Sequence, residues 1–300
     1  MKALVKTREG VFLKDVPVPK VGKTDILIKV MLAGFCRTDS YVAKNLIKTK
    51  TPLILGHEFS GVVEKTGSGI KKFKPGDRVG VMPILSDNQG RYTGDMIGVE
   101  RDGCFAEYVS VPETAAHKIP AGLPFKEAAY LEPVTSSLAV LNVPLKKDWR
   151  GVIAGDNRIA KLTERILRGH GFRKIKIVPM EKLNEIQNNE YDFAIETVAT
   201  TNVISQLIRK VKPGGIMIMK SRQFDPVKIS IGEIVKKDIR IFGAYYGSFK
   251  KAIKILQSKK LKLETILGET LPLKKAAAIV CGKTRVKEDR KIFFDPTCAA

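Results

Sequence analysis

The 300-residue chain is short of cysteine, aromatic residues, histidine and acid. Its four cysteines, Cys36, Cys104, Cys281 and Cys298, are irregularly spaced and too few for a disulfide scaffold, which points to a reduced, cytoplasmic protein. Aromatic residues make up 7% with a single Trp. That scarcity, with no zinc-knuckle, RRM or helix-turn-helix signature, argues against specific nucleic-acid binding. No apolar run approaches the roughly 18 residues of a membrane span, so no membrane association is expected. The opening Met1-Lys2-Ala3-Leu4-Val5-Lys6 has no long apolar core of the secretory kind. No repeat recurs at a period of about 20–50 residues. Acid is outnumbered, 31 Asp and Glu against 53 Lys and Arg, for a net charge of +22 that lies mostly in the second half. Such a field favours anionic partners such as nucleotides, although charge speaks to association rather than to a site.

The rest of the composition is that of a globular protein, 44% hydrophobic and 28% charged, and the length suits two domains. Residues 1–110 read as short strands between turns: Met1–Thr7, Val11–Val16, Asp25–Phe35, Gly61–Thr66 and Asp77–Met82. Strands at that spacing predict a small barrel. The pattern turns helical between Asp39 and Lys50, and again over Phe125–Asn142, with Pro133 as an interruption. From residue 151 strand and helix alternate. Gly151–Gly155, Lys174–Val178, Asp192–Thr197 and Gly215–Met219 read as strands; Asn157–Gly169, Ile204–Val211 and Phe249–Gln257 read as helices. That alternation predicts a parallel, doubly wound sheet, hence an α/β protein.

Three segments carry chemistry. Gly34-Phe35-Cys36-Arg37-Thr38-Asp39-Ser40 closes a strand, Leu55-Gly56-His57-Glu58-Phe59-Ser60-Gly61 opens another, and Tyr130-Leu131-Glu132-Pro133 follows later. A thiolate, an imidazole and a carboxylate form the ligand set of an open zinc site, where the metal acts as a Lewis acid on an alcohol or carbonyl oxygen. Taken singly, a buried Cys is more often a small core residue and a lone His more often structural.

With their flanks, these segments resemble the medium-chain, zinc-dependent alcohol and polyol dehydrogenase family. The markers are Cys36-Arg37-Thr38-Asp39, Gly56-His57-Glu58-Phe59-Ser60-Gly61, Gly76-Asp77-Arg78-Val79, Gly103-Cys104-Phe105-Ala106-Glu107-Tyr108, Glu132-Pro133 and Lys212-Pro213-Gly214-Gly215. The Glu-Pro pair most resembles the sorbitol and threonine dehydrogenase branch. The resemblance implies a GroES-like β-barrel catalytic domain, residues 1–141 and 268–300, with a Rossmann-like nucleotide-binding domain, residues 142–267, inserted into it. It implies Cys36 and His57 as zinc ligands, with Glu58 or Glu132 as the third. It implies Thr38 as proton relay, Asp39 as the carboxylate that fixes the His57 tautomer, and Arg37 on the cofactor pyrophosphate. It further implies a small alcohol or carbonyl substrate, NAD or NADP as hydride carrier, and a homo-oligomer.

The sequence departs from that pattern in ways that bear mostly on the cofactor. Pro83–Gly98 holds none of the four cysteines of a structural zinc lobe, so one catalytic zinc is expected. The Gly-x-Gly-x-x-Gly fingerprint reads Gly155-Asp156-Asn157-Arg158-Ile159-Ala160: a side chain stands where glycine lets the backbone reach the pyrophosphate, with Arg158 as a compensating charge. Pro179, not an acid, follows the second strand. About a dozen residues separate Pro179 from Asp192, too few for a complete βα step, so a strand of the nucleotide-binding half is expected to be missing. Two readings stay open: a zinc-dependent dehydrogenase, or the same fold and metal in non-redox chemistry (proton abstraction or elimination) or as a binding protein that has lost the dinucleotide.

Overall fold

A computed structural model describes residues 1–86, 92–222, 226–286 and 289–298. The chain forms two compact units, residues 1–132 with 253–258 and 263–300, and residues 133–252 with 259–262.

The first unit is antiparallel over most of its length. Its strands are β1 (Lys2–Lys6), β2 (Val11–Asp15), β3 (Asp25–Gly34), β4 (Leu53–Ile54), β5 (Glu58–Thr66), β6 (Arg78–Val81), β7 (Ile84–Ser86), β8 (Tyr92–Met96), β9 (Tyr108–Pro112) and β10 (Ala116–Lys118). Helix α1 (Arg37–Ala43) lies between β3 and β4; α2 (Phe125–Ala128) and α3 (Leu131–Leu138) follow β10. The expected break at Pro133 does not occur. Pro133 sits in the first turn of α3, where its missing N–H has no intrahelical partner to lose. The long strand β3 pairs with both β5 and β9 and carries register shifts at Leu27/Ile28 and Val30/Leu32, the bulges by which a sheet bends. Its alternating residues Ile26, Ile28 and Val30 are fully buried.

The second unit holds β11 (Gly151–Ala154), α4 (Arg158–Gly169), β12 (Ile175–Val178), β13 (Tyr191–Glu196), α5 (Thr201–Lys210), β14 (Val211–Met219), α6 (Ile231–Lys236) and β15 (Arg240–Gly243). All five strands are parallel, in the order β12-β11-β13-β14-β15. Along β11, Ile153 faces a cluster with Leu167 of α4, whereas Val152 and Ala154 face a cluster with Val203 and Leu207 of α5. Both faces are therefore covered, as a parallel sheet requires. Between β12 and β13 only a 3₁₀ turn, Met180–Glu185, is formed. Among the described residues the sheet thus lacks the strand that would lie outside β12 in the six-stranded order, as the short spacing predicts, and β12 is an edge. Helix α5 starts earlier than the apolar periodicity indicates, because Thr200 caps it by accepting from the Val203 N–H at 3.2 Å.

Helix α7 (Phe249–Gln257) leads to β16 (Leu267–Pro272), α8 (Ala276–Val280) and β17 (Lys291–Asp295), which return to the first unit. There β17 pairs antiparallel with β3, Phe293 opposite Gly34.

Candidate functional site

The two halves of the candidate centre leave their strands at the same end of the β3–β5 pair, where Gly34 lies opposite Glu58. Cys36, in extended backbone, is the N-cap of α1, and Asp39 at the third helical position sends Oδ2 back to the Cys36 N–H at 2.8 Å. The other oxygen, Oδ1, lies 3.0 Å from His57 Nδ1. One buried carboxylate therefore fixes both the cap that carries the thiol and the plane of the imidazole. It accepts the Nδ1 proton, so that in the neutral ring, the form that binds a cation, the lone pair lies on Nε2.

His57 is presented by a turn at Gly56, whose φ is +96°. A Cβ there would lie 2.5 Å from the Phe105 ring and 2.8 Å from the Phe105 backbone nitrogen. The neighbouring segment holds the turn in place: the Gly103, Cys104 and Phe105 N–H groups donate to the carbonyls of Ile54, Gly56 and Leu55 at 2.8, 3.0 and 2.8 Å. Gly56→Ala is expected to cost at least about 2 kcal/mol through left-handed strain and this contact, read as a lowered Tm; an unchanged Tm would show that the turn can relax.

The donor atoms of Cys36, His57 and Glu58 all lie within 4.8 Å of one another, the one such trio of His, Cys, Asp or Glu among the described residues. Tetrahedral zinc would bring such atoms to roughly 3.5 Å apart, so small rotations suffice. His57 Nε2 is buried, 3.9 Å from Glu58 Oε1, and faces the Cys36 sulfur. An imidazole nitrogen so placed beside a thiol and a carboxyl fits a bound cation. Burial alone would push the Cys36 thiol up, but the His57 ring and the charges of His57 and Lys291 hold it at about 6. The sulfur thus favours the thiolate, its metal-binding form. Burial opposes charge on His57 as well, and the Asp39 carboxylate overcomes it, raising the imidazole well above its ordinary value. Burial pushes the Glu58 carboxyl up, against the pull of Lys291.

Lys291 on β17 escaped the sequence reading. It is 1% exposed, its ammonium pairs with Glu58 Oε2, and it lies 5.8 Å from the centre of the Tyr130 ring. Glu132, at the start of α3, is buried, and its charge is felt at Glu58, yet it is not one of the trio. Thr38 is half-buried, its Oγ1 3.7 Å from Cys36 Sγ, and Arg37 is exposed on α1. Phe59, which follows Glu58 on β5, is core, 2% exposed. Residues 87–91 of the Pro83–Gly98 stretch lie outside the described residues.

The fingerprint residues lie in the second unit. Gly155 leaves β11 with φ +105°, and Asn157 caps α4, its side chain accepting from the N–H groups of Ile159 and Ala160. Ala160 is fully buried against Ile153, the close helix–sheet packing that a small third fingerprint residue permits. Arg158 is half-buried at the first helical position, and Asp156 is exposed.

Residues 22–121 match the alcohol dehydrogenase GroES-like domain. Over 89% of this chain and 91% of its partner, the sequence is 26% identical to a sorbitol dehydrogenase of Halalkalibacterium halodurans. It is 25% identical to an L-threonine 3-dehydrogenase of Bacillus licheniformis, over 91% and 92% of the two chains. An alcohol dehydrogenase of Escherichia coli CFT073, solved in complex with NADH, superposes with a TM-score of 0.87 at 20% identity over 98% and 99% of the chains.

Proposed function

This chain belongs to the medium-chain alcohol and polyol dehydrogenase family, and from that premise we propose that it is a zinc-dependent oxidoreductase. It moves hydride between a nicotinamide dinucleotide and a small alcohol or carbonyl compound, with a secondary alcohol or polyol as the substrate class. The observation that carries this reading is the trio Cys36, His57 and Glu58, whose donor atoms all lie within 4.8 Å of one another. The free thiols of Cys36, Cys104, Cys281 and Cys298 suit a reducing, cytoplasmic setting. Among the described residues no helix is long and apolar enough to cross a membrane.

Bound zinc would supply a Lewis acid that lowers the pKa of an alcohol. Cys36 and His57 would hold it, with Glu58 as third ligand and Glu132 close enough to act on Glu58 electrostatically. Thr38, half-exposed beside Cys36, has a hydroxyl that both accepts and donates, so it can take the proton of a substrate alcohol and pass it outward. Asp39 keeps the His57 lone pair turned to the metal. Lys291 neutralises Glu58 and so limits the negative charge of the centre. We assign the dinucleotide to residues 142–267, with Gly155, Asn157, Arg158 and Ala160 at the pyrophosphate. The turn at Gly155 and the start of α4 fit that group in backbone; the Asn157 side chain occupies the amides and has to swing out.

Metal analysis of the purified protein, together with reduction of NAD and NADP by a panel of secondary alcohols and polyols, tests this. About one zinc per chain and substrate-dependent reduction are expected. A zinc-loaded protein that turns over none of the panel and binds neither dinucleotide points instead to the non-redox reading.

Asp39→Asn should lower zinc affinity and turnover by about 10–100-fold each, because the amide no longer dictates which imidazole nitrogen carries the proton. Competitive chelation measures the first and steady-state kinetics the second. Unchanged values for both would remove Asp39 from the site.

A further inference from the structure

In the sheet order β12-β11-β13 the chain winds in opposite directions from β11 and from β13. The crevice at the carboxyl ends of those two strands is where open α/β sheets bind ligands, with a helix N-terminus aimed at phosphate. In this chain that crevice is spanned by its own side chains. Asn157 Oδ1 accepts from the N–H groups of Ile159 at 2.9 Å and Ala160 at 3.1 Å. Asn157 Nδ2 donates to Thr197 Oγ1 at 2.9 Å, and Thr197 Oγ1 donates to the Ala154 carbonyl at 2.6 Å. The bridge runs from the end of β11 to the residue just past β13. It also fills the space that Gly155 leaves open: a Cβ on Gly155 would meet Thr197 Oγ1 at 2.7 Å and Asn157 Nδ2 at 3.0 Å.

The Thr197 side of the bridge is anchored. Glu196, its fully buried neighbour, accepts from the backbone N–H groups of Lys220 at 3.1 Å and Ser221 at 3.2 Å, and from the Ser221 hydroxyl at 2.5 Å. Thr197 is therefore held, and Asn157 is the part that has to move. A phosphate oxygen would need the same two amides that Asn157 Oδ1 now satisfies.

We propose that Asn157 acts as a built-in competitor of the dinucleotide pyrophosphate, latched by Thr197, and so sets how tightly this chain holds its cofactor. The proposal rests on the dinucleotide reading above. Binding proceeds only from the fraction of molecules whose Asn157 has swung out, and apparent affinity falls in proportion to that fraction. Glycine caps a helix nearly as well as asparagine, so Asn157→Gly removes the competitor at little cost to the fold. Asn157→Asp keeps the cap and sets a negative charge against the phosphate.

Isothermal titration of NADH and NADPH into the zinc-loaded protein and its variants tests this. Asn157→Gly should tighten binding about tenfold, the equivalent of roughly one net hydrogen bond. Thr197→Val, which releases the latch and keeps the cap, should tighten it by less, and Asn157→Asp should weaken it about tenfold or more. Binding by Asn157→Gly where the parent shows none supports the proposal most directly. If the parent binds and Asn157→Gly and Thr197→Val bind no tighter, the competitor is overturned and the dinucleotide reading stands. If no protein of the set binds either dinucleotide, both fall together.

Discussion

Cys36→Ser should empty the metal centre without harming the fold. Zinc content should drop from about one per chain toward zero, and turnover by about three orders of magnitude or more, the worth of several kcal/mol of Lewis-acid assistance. Two features make the result clean. Serine differs from cysteine by one atom, at a half-buried position where no core packing is lost. Serine is also a favoured N-cap, and Cys36 caps α1. The melting temperature of the metal-free variant should therefore match or exceed that of the metal-free parent. Metal analysis, kinetics and thermal unfolding read the three quantities separately. A variant that keeps its zinc would show that His57 and two carboxyls hold the ion without the thiol. One that loses stability along with zinc would show that the sulfur is structural.

Lys291→Met should strongly destabilise the first unit. It leaves the Glu58 carboxyl, 1% exposed, with only the His57 ring 3.9 Å away to offset its charge, at a cost of up to about 3–5 kcal/mol for one half of a buried pair, less whatever the carboxyl recovers by taking a proton. Against a total stability of about 5–15 kcal/mol that is a large share. Denaturant unfolding of the metal-free protein measures it. Two companions keep the result interpretable. Glu58→Gln in the same background should restore most of the loss, since neither partner is then charged. Added zinc should stabilise Lys291→Met more than it stabilises the parent, because a bound cation supplies the charge that the lysine no longer does. Equal zinc-dependent stabilisation of the two proteins would mean that Glu58 and the metal do not meet.

The residues that meet at the centre were legible because their chemistry is rare in this composition. Of three histidines, His57 alone stands in a Gly-His-Glu segment, and of four cysteines, Cys36 alone stands in Cys-Arg-Thr-Asp. Lys291 was not legible. It is one basic residue among 53, in a short strand remote in sequence from Glu58, and only the pairing of β17 with β3 brings it there. Asn157 was half legible: as a substituted fingerprint glycine it reads as an obstacle to phosphate. Its position just before an apolar helical pattern is also an N-cap signal, and the structure realises that cap. The same signal at Thr200 would have started α5 at its true first turn. Pro133 misled because a proline reads as a break unless the helix start is known, and α3 begins only two residues before it.

The shortened sheet carries a liability of its own. With no strand outside β12 among the described residues, one side of that strand is a template on which another chain can add itself, capped in part by Arg168, which donates to the Ile175 carbonyl at 2.9 Å. Arg173, Lys174 and Lys176 at and before this rim are all exposed. Cations there make each molecule repel the next before their edges can zip together. Part of the protein's large positive charge thus lies where it opposes such edge pairing, and neutralising those three side chains is expected to raise edge-to-edge association, read by light scattering.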